Sequence, residues 1–460
     1  MLVSTFSVDA VIVWHPITGA GTRTQISDDL LWLTYVVAQY VRVTGDQSIL
    51  DEVVPFIEGA VLAPDEHERY FIPDISPQTG TILEHCLRAV KKGLTAGPHG
   101  LPLIGGGDWN DGLNRVGVRG TGESTWLGWF LVHVLGDLSE LLEIRKDSDQ
   151  AAFYLDRAAE IIENLEKTAW DGEWYLRGFY DDGTPLGSHD SEEMIIDSLP
   201  QSWSVISRTT VKDRSRIAMQ SVAQHLVKEN YGAVLLFTPP FDKTSHDPGY
   251  IKGYIPGVRE NGGQYTHGSL WVPMAFARLG DGDTAVKLLT MMGPLSHARD
   301  RDSVNAYRVE PYVVVADIYS ADKHEGQGGW TWYTGAAGWM YNVWITEVLG
   351  VRKMSDTLII DPAIPNSWNE YSLRIKHGLG VYNITVENPK HVSCGVESVE
   401  LDGASLESYT IPLSGEEVEH TVRIVLGDGP RPALQTVVTK NAAFSQNGQT
   451  HLHAPEGALS

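Results

Sequence analysis

Cysteine is scarce in this chain of 460 residues: Cys86 and Cys394 are its two cysteines, and they lie far apart in the sequence. This excludes a disulfide scaffold and a cysteine-rich metal site, and it fits a reducing compartment. Positive charge is also in short supply, because 35 Lys and Arg stand against 59 Asp and Glu, a net charge of -24 at pH 7. Binding to a nucleic-acid backbone or to an anionic membrane needs a basic face, so this acidity argues against both.

Long hydrophobic runs are absent as well. No stretch approaches the roughly 18 apolar residues of a membrane-spanning helix. The first residues, MLVSTFSVDAVIVWHP, lack the basic start of a signal peptide. The sequence also lacks a P-loop, a dinucleotide fingerprint, a zinc signature and a nucleophile elbow. Any chemistry is therefore expected to be acid–base catalysis with anion binding, without a metal or another cofactor.

Tryptophan is abundant by comparison, with 14 Trp against 10 Phe. A buried indole needs a partner for its N–H group, and an exposed indole is a good stacking surface for a sugar ring. The excess predicts either a Trp-rich core or carbohydrate binding, and composition alone leaves both open.

Up to about Gly350 the chain has the pattern of helices joined by Gly and Asp turns and by long loops. One helix is expected after Ser27, a natural N-cap, through LLWLTYVVAQYVRV, and the next over SILDEVVPFIEG. About ten or eleven helices in pairs predict a mainly α fold. The pattern does not separate an irregular solenoid from a closed α/α toroid.

After Gly350 the pattern changes to short alternating runs such as YSLRIKHG, VYNITVENP and HTVRIVLGDG. These runs predict strands of a small all-β module. From about Pro430 the sequence has little periodicity and many Pro, Gly, Asn and Gln, which predicts a disordered tail. The expected organisation is a helical domain over 1–350, a β domain over 351–429 and a tail over 430–460.

The segment from Gly105 to Trp126, GGGDWNDGLNRVGVRGTGESTW, is the most informative one. Its glycines allow the backbone to approach a ligand closely. Asp108 and Asp111 flank Trp109, and a carboxyl group beside an indole can place a proton donor next to a sugar ring. The alternative is an Asp-rich turn whose carboxylates cap backbone N–H groups.

A second segment, HDPGYIKGYIPGVRENGGQYTHGSLW, places Arg259, Glu260 and His267 around a Gly-Gly turn just before a predicted helix. A cation and an imidazole near a helix N-terminus suit an anion. The alternative is a loop whose polar groups pair with one another.

A third segment, GGWTWYTGAAGW, places Thr334 and Gly335 at the start of the last predicted helix before the strands. Free N–H groups there, with a hydroxyl group, could bind two oxygens of a phosphate. The alternative is a hydroxyl N-cap followed by a close helix contact of small residues.

Together these segments resemble glycoside hydrolase family 94, the inverting glycoside phosphorylases. Within that family the likeness is to the C-terminal phosphorylase-like region of cyclic β-1,2-glucan synthases. The motifs that carry the resemblance are WHPITGAGTRTQISDDLLWL, GGGDWNDGLNRVG, GESTWLGWFL, PGYIKGYIPGVRENGGQYTH, EPYVVVADIYS and GGWTWYTGAAGWM. The resemblance implies an (α/α)6 toroid followed by a small jelly-roll-like β domain.

The resemblance also implies roles for individual residues. Asp111 would be the catalytic acid. The phosphate ligands would be Arg115, His267, Thr334 and Gly335. The substrate-binding residues would be Trp109, Arg23, Asp28, Arg259 and Glu260. Arg115 and His267 would supply positive charge, and no metal is implied.

The expected reaction is phosphate-dependent cleavage of a β-linked glucan, expected to be β-1,2-linked, to α-glucose 1-phosphate. An inverting glycosidase uses a second carboxylate to activate water, and here phosphate would take the place of that water. Two alternatives stay open. One is an inverting hydrolase with Glu260 or Glu310 as the base, and the other is a carbohydrate-binding fragment without catalysis.

Family members carry a β-sandwich and connecting helices before the toroid, whereas the first resembling stretch in this chain begins at Trp14. The toroid is therefore expected to be N-terminally truncated, with an upstream domain or a companion chain completing it. The expected location is the cytoplasm, where inorganic phosphate and glucose 1-phosphate are used. Association with the inner membrane through a missing N-terminal region is the alternative.

Overall fold

The computed structural model describes residues 12–15, 17–63, 66–207, 209, 213–332 and 334–432. Within these ranges, the chain forms a series of α-helices that ends in a π-helical turn at Val343–Val348. The helices are α1 (Leu31–Thr44), α2 (Ile82–Gly93), α3 (Thr125–Ile144), α4 (Ser148–Thr168), α5 (Ser198–Ile206), α6 (Asp213–His225), α7 (Thr266–Ser269), α8 (Trp271–Arg278), α9 (Gly282–Met292), α10 (Arg301–Tyr307) and α11 (Thr334–Asn342). Single 3-10 turns lie at Ser48–Asp51, Asp111–Leu113, Tyr250–Gly253 and Pro294–Ala298.

The longer helices pack in two series. In the first series, α3 contacts α1 and α5, α5 contacts α8, and α8 contacts the π-helical turn. In the second series, α2, α4, α6 and α9 pack against α1, α3, α5 and α8 respectively. Helix α3 is buried at almost every position, because it has a neighbour on each side and α4 along its length. The pairing predicted from the sequence is thus present.

An aromatic cluster fills the space between the helices of the first series. The indole of Trp126 stacks on Phe130 and on Trp271, with ring centroids 5.4 and 6.1 Å apart. Trp203 meets the rings of Trp126 and Trp271 edge to face. Burying several large rings here gives a large hydrophobic contribution to stability. Five tryptophans of the described residues belong to the buried core, namely Trp126, Trp129, Trp174, Trp203 and Trp271.

Short strands lie among the helices, so the described part of the chain is mixed α and β rather than mainly α. These strands are Ile12–Trp14, Gly21–Thr24, Val53–Glu58, Glu68–Phe71, Asp74–Thr81, Glu123–Ser124, Gly178–Phe179, Pro185–Leu186, Ile196–Asp197, Val227–Lys228, Ala233–Val234, Phe237–Thr238, Gln264–Tyr265 and Asp317–Ile318. Many of them span two residues, and such strands leave no periodic pattern to read.

The helix predicted over SILDEVVPFIEG is wrong. Ser48–Asp51 forms one 3-10 turn, and Val53–Glu58 is a strand paired antiparallel with Asp74–Thr81. Pro55 lacks the N–H group that a helix interior needs, and the β-branched neighbours favour a strand. The predicted cap at Ser27 is also wrong, because its hydroxyl donates to the carbonyl of Gly107 at 3.1 Å and α1 begins only at Leu31.

The strands predicted after Gly350 are present. A three-stranded antiparallel sheet has the order Val351–Met354, Thr357–Ile360, Thr410–Pro412. A five-stranded sheet has the order Glu370–His377, Gly380–Glu387, Glu419–Leu426, Val396–Leu401, Ala404–Ser405. Its second and third strands run parallel, and its other neighbours run antiparallel. Gly380–Glu387 alternates buried and half-buried positions, as expected for a strand with one face on a core.

The tail was predicted to be disordered from Pro430, but its first residues are held. The carbonyl of Pro430 accepts a hydrogen bond from Val396 N at 3.0 Å, and Arg431 pairs with Asp361 at 3.2 Å. The rest of that tail, 433–460, lies outside the described residues. Among the residues that are described, no helix is both long enough and apolar enough to cross a membrane.

Candidate active site

The glycines of the first motif hold its loop against the segment before α1. Gly105 and Gly107 have φ values of +60° and +116°, which few other residues adopt. A Cβ atom on Gly105 would lie 2.6 Å from the carbonyl oxygen of Gln25, and Gly106 N donates to that same oxygen at 2.9 Å. The carbonyl of Gly107 accepts from Ser27 N at 2.9 Å. Backbone hydrogen bonds therefore hold the loop in a fixed position against the segment before α1.

Asp108, the first carboxylate of the motif, is a structural residue. It is fully buried and binds both terminal nitrogens of Arg177, at 2.5 and 2.7 Å. Ser124, the N-cap of α3, also donates to it at 2.6 Å. Nε of Arg177 lies 3.2 Å from Asp197, which caps α5 by accepting from Leu199 N. The buried ion cluster thus fixes the motif to the starts of two helices.

Asp111, the second carboxylate, lies in a different environment. It is exposed and begins the 3-10 turn Asp111–Leu113. Tyr250 hydrogen bonds to it, and burial together with this bond raises the pKa of the Tyr250 hydroxyl. The charge of Asp111 also raises the pKa values of Asp29 and Glu260, in each case after the larger effect of burial. Asp111 therefore faces a polar space lined by other carboxyl groups.

Trp109 and His267 come from distant segments and meet in the structure. The indole Nε1–H donates to Nδ1 of His267 at 2.8 Å, and the two rings stack with centroids 5.5 Å apart. Burial lowers the pKa of His267 to about 4. The ring is therefore neutral at pH 7, with its proton on Nε2. It offers a hydrogen-bond donor rather than the positive charge expected from the sequence.

Arg259 and Glu260 form a rigid pair beside this centre. Nε of Arg259 lies 3.3 Å from Glu260, and the guanidinium lies between the rings of Tyr254 and Trp330, at 4.8 and 4.6 Å from their centroids. The backbone of Arg259 has φ +55°, and its N–H donates to buried Asp317 at 3.1 Å. Arg259 and Glu260 thus pair with each other, as in the alternative given for this loop from the sequence.

The remaining predicted phosphate ligands lie at two places. Arg115 is exposed, with its Nε 2.9 Å from Asp247, another exposed side chain. Thr334 and Gly335 begin α11, and Gly335 is exposed. Helix α11 contacts α7, and the ring of Trp339 lies 5.8 Å from that of His267. The structure thus brings His267 close to α11, through Trp339 in the second half of that helix.

Arg23 and Asp28 are both buried, in the segment that leads into α1. One terminal nitrogen of Arg23 donates to the carbonyls of Gly59 and Ala60, so this guanidinium supports the fold. Oδ2 of Asp28 accepts from Trp32 at 2.9 Å, whereas Oδ1 has no hydrogen-bond partner among the described residues. Burial raises the pKa of Asp28 well above its ordinary value, with Asp29 and Asp108 adding to the effect.

Several residues of the site were missed by reading the sequence. Tyr250 contacts the candidate acid, Asp317 holds the loop of Arg259, and Arg177 anchors Asp108. Buried Asn110 has no hydrogen-bond partner for either amide atom within the described ranges. Tyr250 and Asn110 stand inside the quoted motifs, so the motifs themselves were the available signal. Arg177 lies in none of the quoted motifs, so its role had no signal in the sequence.

The exposed carboxyl group of Asp111, the neutral imidazole of His267 and the unsatisfied buried polar groups of Asn110 and Asp28 thus come together around one polar space, which suits a polar ligand. The family model of the glycosyl hydrolase 94 superfamily, catalytic domain, matches residues 5–350. The chain belongs to this superfamily, which confirms the resemblance read from the sequence.

Three individual relatives show which kinds of protein this chain is similar to. The chain is 47% identical over 374 residues to the cyclic beta-(1,2)-glucan synthase NdvB of Rhizobium meliloti (strain 1021), covering 81% of this chain and 13% of that protein. It is 32% identical over 402 residues to solabiose phosphorylase of Paenibacillus borealis, covering 86% and 49%. It is 25% identical over 365 residues to 1,2-beta-oligoglucan phosphorylase of Listeria innocua serovar 6a, covering 74% and 32%. The chain thus spans half or less of the length of these relatives.

Proposed function

We propose that this protein is an inverting glycoside phosphorylase that acts on β-1,2-linked glucans, as part of cyclic β-1,2-glucan synthesis, where it would set chain length. Membership of the superfamily and the likeness to a cyclic β-1,2-glucan synthase support the proposal. The observation that carries it is the exposed Asp111 carboxyl beside the bonded pair of Trp109 and His267. This combination offers a proton donor, a sugar-binding indole and an uncharged donor for an anion.

The reaction needs one carboxyl group. Asp111 donates a proton to the bridging oxygen as the bond from that oxygen to the anomeric carbon breaks. An oxygen of inorganic phosphate forms the new bond to the anomeric carbon from the opposite face. The products are α-glucose 1-phosphate and a glucan shortened by one unit, and the reverse reaction extends the chain. Tyr250, bonded to Asp111, would stabilise the carboxylate left behind.

The phosphate site would combine donors of three kinds. His267 would donate from Nε2, and the N-terminus of α11, at Thr334 and Gly335, would offer backbone N–H groups. Arg115 would supply the positive charge. Its exposed pair with Asp247 contributes only about 0–1 kcal/mol, so phosphate can replace that carboxylate at little cost.

The sugar site would lie on the buried side of the same space. The unsatisfied amide of Asn110 and the unsatisfied Oδ1 of Asp28 suit the hydroxyl groups of a glucose unit. Trp109 would pack against the ring of that unit. Arg23 would support the shape of the sugar site rather than bind the sugar, since it donates hydrogen bonds to the backbone carbonyls of Gly59 and Ala60. Arg259 and Glu260 would border the site as a preformed pair.

The hydrolase alternative is less well supported by the candidate bases. Glu260 is 8% exposed and paired with Arg259, so it has little access to water. Glu310 accepts a hydrogen bond from Trp332, and its own backbone and that bond lower its pKa, which makes it a weaker base. The non-catalytic alternative would keep sugar binding without the acid, and only an activity measurement separates it from the proposal.

We further propose that the two helix series close into an (α/α)6 toroid with help from an upstream domain or companion chain. The outer face of α1 leaves Val36, Tyr40 and Val43 more than 40% exposed at helical spacing, and a further helix would cover them.

The same proposal includes domain limits at 350 and 429, and a location in the cytoplasm or in association with the inner membrane. Inorganic phosphate is the only co-substrate it requires, and it assigns no cofactor.

The test is release of glucose 1-phosphate from β-1,2-glucooligosaccharides with and without inorganic phosphate. We expect phosphate-dependent release by the wild type and a loss of about 10²–10⁴-fold in Asp111→Asn, the usual contribution of a general acid. Because Asp111 is exposed, the variant should stay folded. Release of free glucose in phosphate-free buffer would instead identify a hydrolase, and sugar binding without any release would identify the non-catalytic alternative.

A further inference from the structure

Two tryptophans near the proposed reaction centre differ from those of the core. Trp330 and Trp332 are more than half exposed, at 51% and 67%. Tyr312 is 70% exposed and meets Trp332 edge to face, with ring centroids 6.4 Å apart. We name Tyr312, Trp330 and Trp332 the aromatic rim. Such a cluster of exposed rings is unfavourable in water unless a ligand covers it.

The aromatic rim is held in one arrangement. The indole Nε1–H of Trp332 donates to Oε1 of Glu310 at 3.1 Å. The backbone of Trp332 has φ +65°, which is uncommon for a bulky residue and persists where the surroundings impose it. The backbone of Trp330 is fixed by bonds to Asp317 and Ala316. A ring that is already oriented loses little freedom when a ligand binds.

The aromatic rim is continuous with the proposed reaction centre. Trp330 lies over the guanidinium of Arg259, which pairs with Glu260, and the charge of Asp111 in turn acts on Glu260. Trp332 precedes Thr334, the first residue of α11, by two positions. A sugar chain that extends outward from the cleaved bond would therefore reach these rings.

We propose that the aromatic rim binds the part of a β-linked glucan that extends away from the cleaved bond, with Trp332 stacked on one glucose unit. The inference rests on the proposed function and adds a chain-length preference to it. The faces of a glucose ring carry C–H groups that pack well on the negative face of an indole. The carboxylate of Glu310 can accept hydrogen bonds from the hydroxyl groups of the sugar. A protein partner would need a larger continuous apolar surface than three rings between polar residues.

The kinetic test compares a β-1,2-linked disaccharide with a longer β-1,2-glucooligosaccharide in phosphorolysis. Trp332→Ala should raise the KM for the longer substrate by about tenfold, as for the loss of one ring stacked on an aromatic side chain. The KM for the disaccharide should rise less, since it does not reach the aromatic rim. Phe153→Ala is the matched control, because Phe153 is 54% exposed on α4, outside the site. Equal changes for both substrates, or no change, would overturn the proposal.

A binding measurement separates failure of this inference from failure of the proposed function. The longer oligosaccharide is titrated by calorimetry into Asp111→Asn in phosphate-free buffer, with and without Trp332→Ala. Binding weaker by about tenfold supports the aromatic rim even if the wild type releases no glucose 1-phosphate. Trp332→Phe keeps the ring and should retain most of the affinity. Affinity that does not depend on residue 332, or no binding at all, overturns the inference.

Discussion

The hydrogen bond between Trp109 and His267 decides which nitrogen of the imidazole carries its proton. The indole N–H can only donate, so Nδ1 of His267 must accept at 2.8 Å and the proton lies on Nε2. Trp109→Phe removes this donor and keeps an aromatic ring in its place. We expect phosphate to bind more weakly to the variant, because Nε2 then no longer holds its proton in every molecule.

The expected magnitude follows from the loss of one hydrogen bond. Such a bond contributes about 0.5–1.5 kcal/mol net, which is about two- to thirteenfold in an equilibrium. The upper end applies here, since a deprotonated Nε2 would present a lone pair to an anion. Burial holds the pKa of His267 at about 4, so the effect at pH 7 concerns the position of the proton and not the charge of the ring. We therefore expect the KM for phosphate to rise about tenfold.

The assay is the initial rate of glucose 1-phosphate release at varied phosphate and saturating glucan, with nitrogen-15 NMR of the imidazole to identify the tautomer. Trp271→Phe is the matched control. Its indole packs on His267 with ring centroids 5.3 Å apart, and its Nε1 has no hydrogen-bond partner among the described residues. An equal rise in the phosphate KM in both variants would refute the reasoning, because packing and not the tautomer would then be responsible. An unchanged KM in Trp109→Phe would refute it as well.

Three further predictions concern stability and are checked by denaturant unfolding. Asp108→Asn should lower the free energy of unfolding by about 3–5 kcal/mol, because it leaves Arg177 as a buried charge without its main partner. Arg115→Met should lower it by only about 0–1 kcal/mol, since the ion pair of Arg115 is exposed. Equal losses in the two variants would contradict this prediction. The pKa of Glu347 is lowered to about 2, because two arginines outweigh the opposing effect of burial. The ionised Glu347 stabilises the fold fully above pH 4.5, its ordinary pKa, and this stabilisation declines as pH falls toward about 2. The difference in the free energy of unfolding between the wild type and Glu347→Gln should therefore shrink over that range. A difference that does not depend on pH would disprove the prediction. Gly105→Ala should destabilise by more than about 1 kcal/mol, because φ is +60° and the new Cβ would clash with a carbonyl; an unchanged midpoint would argue against this.

Long-period patterns in the sequence predicted the fold best. The strands after Gly350 alternate over eight residues in Glu370–His377 and Gly380–Glu387, long enough for the period to be unambiguous. The helix pairs α3 with α4 and α8 with α9 followed from apolar spacing and from the short Gly and Asp turns between helices. The helix predicted over Val53–Glu58 is wrong because Val, Phe and Ile also fit one helix face, whereas Pro55 disfavours a helix interior.

The candidate site was predictable only in its parts. The family resemblance implied that Trp109, Asp111 and His267 lie in one site. Nothing in the residues themselves predicted the hydrogen bond between the indole and Nδ1 of His267. That bond joins positions 158 residues apart, and the burial that makes His267 neutral comes from the surrounding fold. Charge in a site depends on tertiary environment, which is why the expected cation is a neutral donor.

The two aspartates of the DWND motif show how environment divides the roles of identical side chains. Asp108 accepts hydrogen bonds from Arg177, Ser124 and the backbone N–H of Asn110, so its negative charge is committed to the buried ion cluster. Asp111 is exposed, and its partner Tyr250 is itself 45% exposed, so its carboxyl can reach a substrate and exchange protons with solvent. Because the buried ion cluster fixes the loop on which both residues lie, removing Asp108 should disorder the site, whereas removing the Asp111 carboxyl should stop the chemistry and leave the loop in place.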